Sequence, residues 1–278
     1  MTIQFALTVN EGKYLIAKAI SELPEVREAI SGGKLVLKGG TTVSLISELL
    51  FDLPLRISGR MTKRGAVSAA SNCDAPHTVA WENGKIINLD ETVDEYTSDM
   101  GPGDVIVTGA NIIDREGNGA LLAGSKSGGL CGRSISAWSV EGAEVIIAAG
   151  LEKLIPGRVA DSVRAAHRKN MDLAMGMACG LFPVTGKLVT EIEAVEILTG
   201  IKPVVIGRGG IYGAEGGVLF QAEGENDKVE RLSALVKECK GKETGGDIRS
   251  LKECSVPSPG CRYHLSCMYR SGNDRTKR

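Results

Sequence analysis

Aromatic residues are scarce in this chain: four Phe, two Trp and five Tyr amount to 4% of 278 residues. So thin a supply argues against a carbohydrate-binding groove or a base-stacking surface, and for an aliphatic α/β core. An excess of one charge is also missing. Lys and Arg number 33 against 34 Asp and Glu, a net charge of −1. A nucleic-acid or membrane-surface partner is therefore not expected. No apolar run approaches the roughly 20 residues that cross a bilayer. The opening residues carry no charged-then-apolar signal peptide. The expectation is a cytoplasmic protein, whose seven cysteines serve as thiols or ligands before disulfides.

What the chain has in quantity is glycine, 36 residues of it, gathered in turns. The organising stretch is 34–50, KLVLKGGTTVSLISELL. It predicts a buried strand over 35–37, a turn at Gly39 and Gly40, and a helix entered through Thr41 and Thr42. Glycines uncover backbone N–H groups, and a helix start adds unpaired donors and a positive dipole end. Such a turn suits an anion, phosphate or carboxylate.

Strand signals recur around it. Asn10 is a plausible cap for a helix over 11–22. Residues 55–65 predict a strand running into a basic loop with Arg56, Arg60, Lys63 and Arg64. Asn83-Gly84 between residues 77–82 and 85–89 predicts a hairpin; Cys73, Asp74 and His77 precede it. Residues 104–108 and 144–150 read as further buried strands, and 134–140 and 159–178 as helices. Alternation of this kind predicts parallel strands with crossover helices, and ligands then bind beyond the strands' carboxyl ends. The Gly-Gly turn, the loop Gly109–Asp114 and the residues after 145–148 all fall there. From about residue 188 the pattern changes to helix, strand, strand, helix, ending near 239. The loop 207–217 in that stretch holds six glycines, with Arg208 and Glu215 inside it.

The segments 37–44 (LKGGTTVS), 108–114 (TGANIID) and 123–129 (AGSKSGG) resemble three loops of the sugar isomerase/CoA transferase-like superfamily. That group includes ribose-phosphate isomerase, glucosamine-phosphate deaminase and the initiation-factor-2B-like proteins. The resemblance covers residues 30–150. It implies a mostly parallel, Rossmann-like α/β sheet with flanking helices over 1–185, and a small α+β, ferredoxin-like subdomain over 186–241. It also implies an anion site at Gly39, Gly40, Thr41, Thr42, Ser44, Gly109, Ala110, Asn111, Ser125, Gly128 and Gly129. Arg208 and Glu215 are further binding candidates. Two acidic positions of the isomerase motif are Thr108 and Asn111 here, and neither side chain removes a carbon-bound proton. A CoA transferase uses a glutamate; Glu116, Glu141 and Glu215 qualify by type alone. The catalytic candidates are Asp114 as base and Lys126 as cation, whereas His167 reads as structural.

Residues 242–278 form a polar, Cys/His-rich tail. Cys254, Cys261, His264 and Cys267 offer thiolate and imidazole, the ligands of zinc and of iron–sulfur clusters. Three functions follow. The first is a protein, isomerase- or transferase-like if an enzyme, that binds a small anionic metabolite. The second is a sensor holding zinc or an iron–sulfur cluster. The third is a non-catalytic interaction protein. A homo-oligomer is expected.

Overall fold

The computed structural model describes residues 1–68, 73–251 and 264–269. Strand β1 (Thr2–Leu7) leads into α1 (Val9–Glu22). A reciprocal cap starts this helix: the Thr8 hydroxyl accepts the Glu11 N–H, and the Glu11 carboxylate accepts the Thr8 N–H. The cap is thus Thr8 rather than Asn10, because Glu11 stands three residues on from it. Pro24 opens α2 (Pro24–Gly32). Then come β2 (Lys34–Lys38), the Gly-Gly turn and α3 (Thr41–Phe51).

A short ribbon, β3 (Gly59–Thr62) with β4 (Gly65–Ser68), precedes the hairpin of β5 (Thr78–Glu82) and β6 (Lys85–Asn88). Asn83 and Gly84 at the hairpin tip both have positive φ, the geometry that selects this dipeptide. Next are α4 (Val93–Ser98), β7 (Val105–Gly109), β8 (Ile112–Ile113), β9 (Gly119–Ala123), α5 (Gly129–Val140) and β10 (Glu144–Ala148). The remainder is α6 (Val159–Ala165), β11 (Gly180–Val184), β12 (Lys187–Val189), α7 (Glu191–Thr199), β13 (Val204–Gly209), β14 (Gly217–Glu223) and α8 (Asn226–Cys239).

Helix α6 stops at Ala165, well short of 178. Beyond it the backbone is bound to distant segments. The Met177 N–H donates to the Ala66 carbonyl at 2.7 Å, the Ala178 N–H to Leu265 at 3.1 Å, and the Ala174 N–H to Ser266 at 3.0 Å. Each of these donors would otherwise have served a helix.

The fold is α/β, built on a mixed and mostly parallel six-stranded sheet with flanking helices. Its order is β12–β10–β7–β2–β5–β6, the first four strands parallel and the last two antiparallel. Alternate residues sort onto two faces, as the two-residue strand period requires. Leu35, Leu37, Val105, Val107, Ile146 and Ala148 pack toward α1, α3 and α7. Val36, Ile106, Val145 and Ile147 pack with Trp138 of α5. Within residues 186–241, β12 extends the main sheet, whereas β13 and β14 pair antiparallel and β1 completes their three-stranded sheet. Strands β11, β9 and β8 form another small sheet. Among the described residues no helix is long and apolar enough to cross a membrane.

Candidate functional site

Strands β2, β7 and β10 run parallel, so their carboxyl ends share one edge. There the Gly39–Gly40 turn, the loop Gly109–Asn111 and the turn Gly150–Lys153 meet around a crevice of about 550 Å³. The ribbon β3–β4 contributes Gly59, Arg60 and Met61 to its wall, and α1 contributes Lys13.

Helix α3 opens onto this space. Gly40 precedes it in an extended conformation, no Cβ on Gly40 would meet anything within 4 Å, and no side chain among the described residues caps the helix. Thr42, 2% exposed, lines the crevice, and among the described residues its hydroxyl finds no hydrogen-bond partner. Uncapped N–H groups, the dipole and an orphaned buried hydroxyl together favour an anion. Lys38, 7% exposed at the end of β2, Lys13 and Lys153 supply positive charge. Burial, then the neighbouring Lys153, lowers the Lys13 pKa below the ordinary lysine value.

Gly39 has a separate reason to be glycine. A Cβ there would stand 2.3 Å from the His77 carbonyl and 2.4 Å from its Nδ1. The Gly39 N–H donates to that carbonyl at 2.7 Å. His77 Nδ1 faces the Arg56 carbonyl at 2.8 Å and so carries the ring proton; Nε2, 3.2 Å from the Ser58 hydroxyl, accepts from it. Desolvation and then the Lys38 charge push the His77 pKa down to about 4, so the ring is neutral near pH 7. His77 and Ser58 both line the crevice.

Beside Lys153, Glu152 and, behind it, Glu191 approach the bare face of Gly150. A Cβ there would stand 2.1 Å from Glu152 Oε2 and 2.8 Å from Glu191 Oε1. Glu191 is 3% exposed at the start of α7, and its Oε2 accepts the Leu151 N–H at 2.8 Å. Desolvation, and then the Glu152 charge, raise the Glu191 pKa to about 7. Glu152 Oε2 is buried without a hydrogen-bond partner among the described residues, while its Oε1 lies 3.9 Å from Lys153 Nζ.

Of the residues singled out by sequence, Gly39, Gly40, Thr41, Thr42, Gly109, Ala110 and Asn111 line the crevice together. Ser44 turns inward, donating to Glu48 at 2.8 Å and accepting the Leu55 N–H at 2.8 Å. Asp114, 4% exposed, accepts from the N–H groups of Glu116, Asn118 and Val159 and from the Asn118 amide. Burial alone would raise its pKa; these donors outweigh it and hold the carboxyl below its ordinary value. The carboxylate is thus the hub of a loop. Ser125 and Lys126 are exposed, and Ser125, Lys126, Gly128 and Gly129 lie outside the crevice lining. Arg208 donates to the Leu151 carbonyl, bracing the turn that carries Glu152, and Glu215 accepts the Gly213 N–H. His264 and Cys267 are half-buried, with Cys267 bridged to Ala174. Cys254 and Cys261 lie outside the described residues.

Lys13, Lys38, Ser58, His77, Glu152, Lys153 and Glu191 were not singled out for the crevice from sequence. One signal was there to find: Glu152 and Lys153 follow the third buried strand at the edge where ligands bind.

No known protein family matches the chain, and comparison with curated proteins and with solved structures gave no match.

Proposed function

We propose that the chain binds a small phosphorylated or carboxylated metabolite in this crevice, as a cytoplasmic enzyme of isomerase or transferase type. The reading takes the main sheet as Rossmann-like, with the ligand beyond the carboxyl ends of its parallel strands. The observation that carries it is the start of α3. Its uncapped N–H groups open onto a space that Lys38, Lys13 and Lys153 also line, and the Thr42 hydroxyl is buried at its wall with no hydrogen-bond partner among the described residues. The crevice volume of about 550 Å³ lies within the range of metabolite sites. Asn111 stands where the resembled isomerases have an acid, so acid–base work falls to a group elsewhere in the crevice.

Calorimetric titration with sulfate, inorganic phosphate, ribose 5-phosphate and acetyl-CoA tests the reading. At least one of these anions is expected to bind, and Lys38→Met to weaken it about tenfold, a loss of roughly 1.4 kcal/mol. No binding by any anion, or binding indifferent to Lys38→Met and Gly40→Val, overturns it.

A further inference from the structure

We propose that Glu152 and Glu191 share a single proton site that only part of the resting molecules have filled, and that an anion entering the crevice brings the missing proton in with it. The proposal rests on the anion reading above and gives that site its acid–base group.

The geometry comes first. Two carboxylates converge on one glycine face, Gly150, and the helix behind them is cut back to glycine as well. A Cβ on Gly12 of α1 would stand 2.4 Å from Glu191 Oε1. Glu191 is inside the protein, and Glu152 forms part of the crevice wall. Two like charges this close, in a medium that solvates ions poorly, do not both stay ionised. Glu191 is the more deeply buried of the two and so the more costly to ionise; its Oε2 accepts the Leu151 N–H, which leaves Oε1, the atom facing Gly150, as the oxygen to carry the proton. The raised Glu191 pKa agrees with this placement.

The charged neighbours make the pair responsive. Lys153 lies on the same turn, Lys13 faces the pair from α1, and the Arg208 guanidinium of β13 holds the Leu151 carbonyl. All three cations favour ionised carboxylates. An anion in the crevice offsets Lys13 and Lys153, adds negative charge beside Glu152, and so strengthens the pair's hold on a proton. The balance is simple: one proton leaves solvent or ligand and joins a carboxylate oxygen, and no electron changes hands. The ligand class is a phosphomonoester or carboxylate whose reaction includes a proton transfer, with Glu152 as the group in contact with it and Glu191 as the store behind.

Two measurements on the full chain test this. Carbon-13 NMR of glutamate-labelled protein, titrated between about pH 4 and 9, should show one carboxyl with a midpoint near neutrality. Glu191→Gln should remove that titration, and Glu152→Gln should move it downward. A wild-type protein in which every glutamate titrates below about pH 5.5 overturns the proposal. The second probe is sulfate, which stays a dianion throughout, so that any proton taken up belongs to the protein. Calorimetry in two buffers of different ionisation heat should show uptake of a fraction of a proton per sulfate near pH 7. Glu191→Gln should still bind sulfate and take up none; equal uptake in that variant overturns the proposal. If sulfate and phosphate both fail to bind, the anion reading falls, while the NMR titration still decides the pair. Should Glu191→Gln not fold, Glu152→Gln decides both arms, by the downward midpoint and by reduced uptake.

Discussion

Glu191 Oε1 lies where α1 has no side chain, 2.4 Å from where a Cβ on Gly12 would stand. Glycine inside a helix costs about 0.5–1 kcal/mol relative to alanine. Its presence in the first turn of α1 follows from the carboxylate it accommodates. Gly12→Ala is therefore expected to destabilise the protein by about 1–3 kcal/mol through overlap. In a Glu191→Ala background the same change should stabilise by about 0.5–1 kcal/mol. Urea denaturation of the four proteins in the cycle measures this, and an equal effect in both backgrounds shows that the contact does not govern Gly12.

The same carboxyl sets a pH dependence. Its folded pKa, about 7, lies above the ordinary 4.5, so the folded state holds a proton more tightly than the unfolded chain. That contribution is fully present below pH 4.5 and is lost as pH rises through about 7, a change on the order of 3 kcal/mol. His77 acts with the opposite sign. Its pKa falls from 6.5 to about 4, so its contribution is present above 6.5 and is lost as pH falls through 4. Stability measured against pH should lose its decline between 4.5 and 7 in Glu191→Gln. In His77→Gln it should lose part of its decline below 6.5. An unchanged profile in either variant removes that residue from the account.

Asp114 is expected to matter for folding and little for binding. The N–H groups of Glu116, Asn118 and Val159 depend on its carboxylate. Asp114→Ala would leave these three N–H groups, the Val159 one buried, and the Asn118 amide without their acceptor, and should cost about 3 kcal/mol. Sulfate affinity should stay within about twofold of wild type. A stable variant with lost affinity would return Asp114 to the catalytic role its motif suggests.

The sequence revealed the edge of the sheet better than it revealed the site. Gly40, Thr42 and Asn111 were readable because a buried strand followed by a short loop places its first residues at the carboxyl end, whatever the rest does. The acid–base groups were not readable in this way. Glu152 and Glu191 sit in separate segments and meet only because β10 and α7 bring them to Gly150 and Gly12, two glycines without turn signals. The motif around Asp114 suggests catalysis; its hydrogen bond from Val159, 45 residues away, has no signal in the sequence. Strand β1 and the early end of α6 were not legible for a similar reason, since the partners, β14 for one and residues 66 and 265 beyond the other, are distant in sequence.

His77 offers a way to locate the anion without knowing its identity. After burial, the Lys38 charge is the next largest influence depressing its pKa to about 4. Lys38→Met removes that charge and should raise the His77 pKa by about one unit. A bound anion beside Lys38 offsets the charge and should move His77 the same way in the wild-type protein. Proton NMR of the histidine ring, titrated with and without sulfate, measures both shifts. The chain has three histidines, and His77→Gln assigns the signal. A His77 pKa that rises in Lys38→Met but ignores saturating sulfate would place the anion away from Lys38. The site would then have to lie on the Lys13–Lys153 wall, where sulfate should instead shift the Glu152–Glu191 titration.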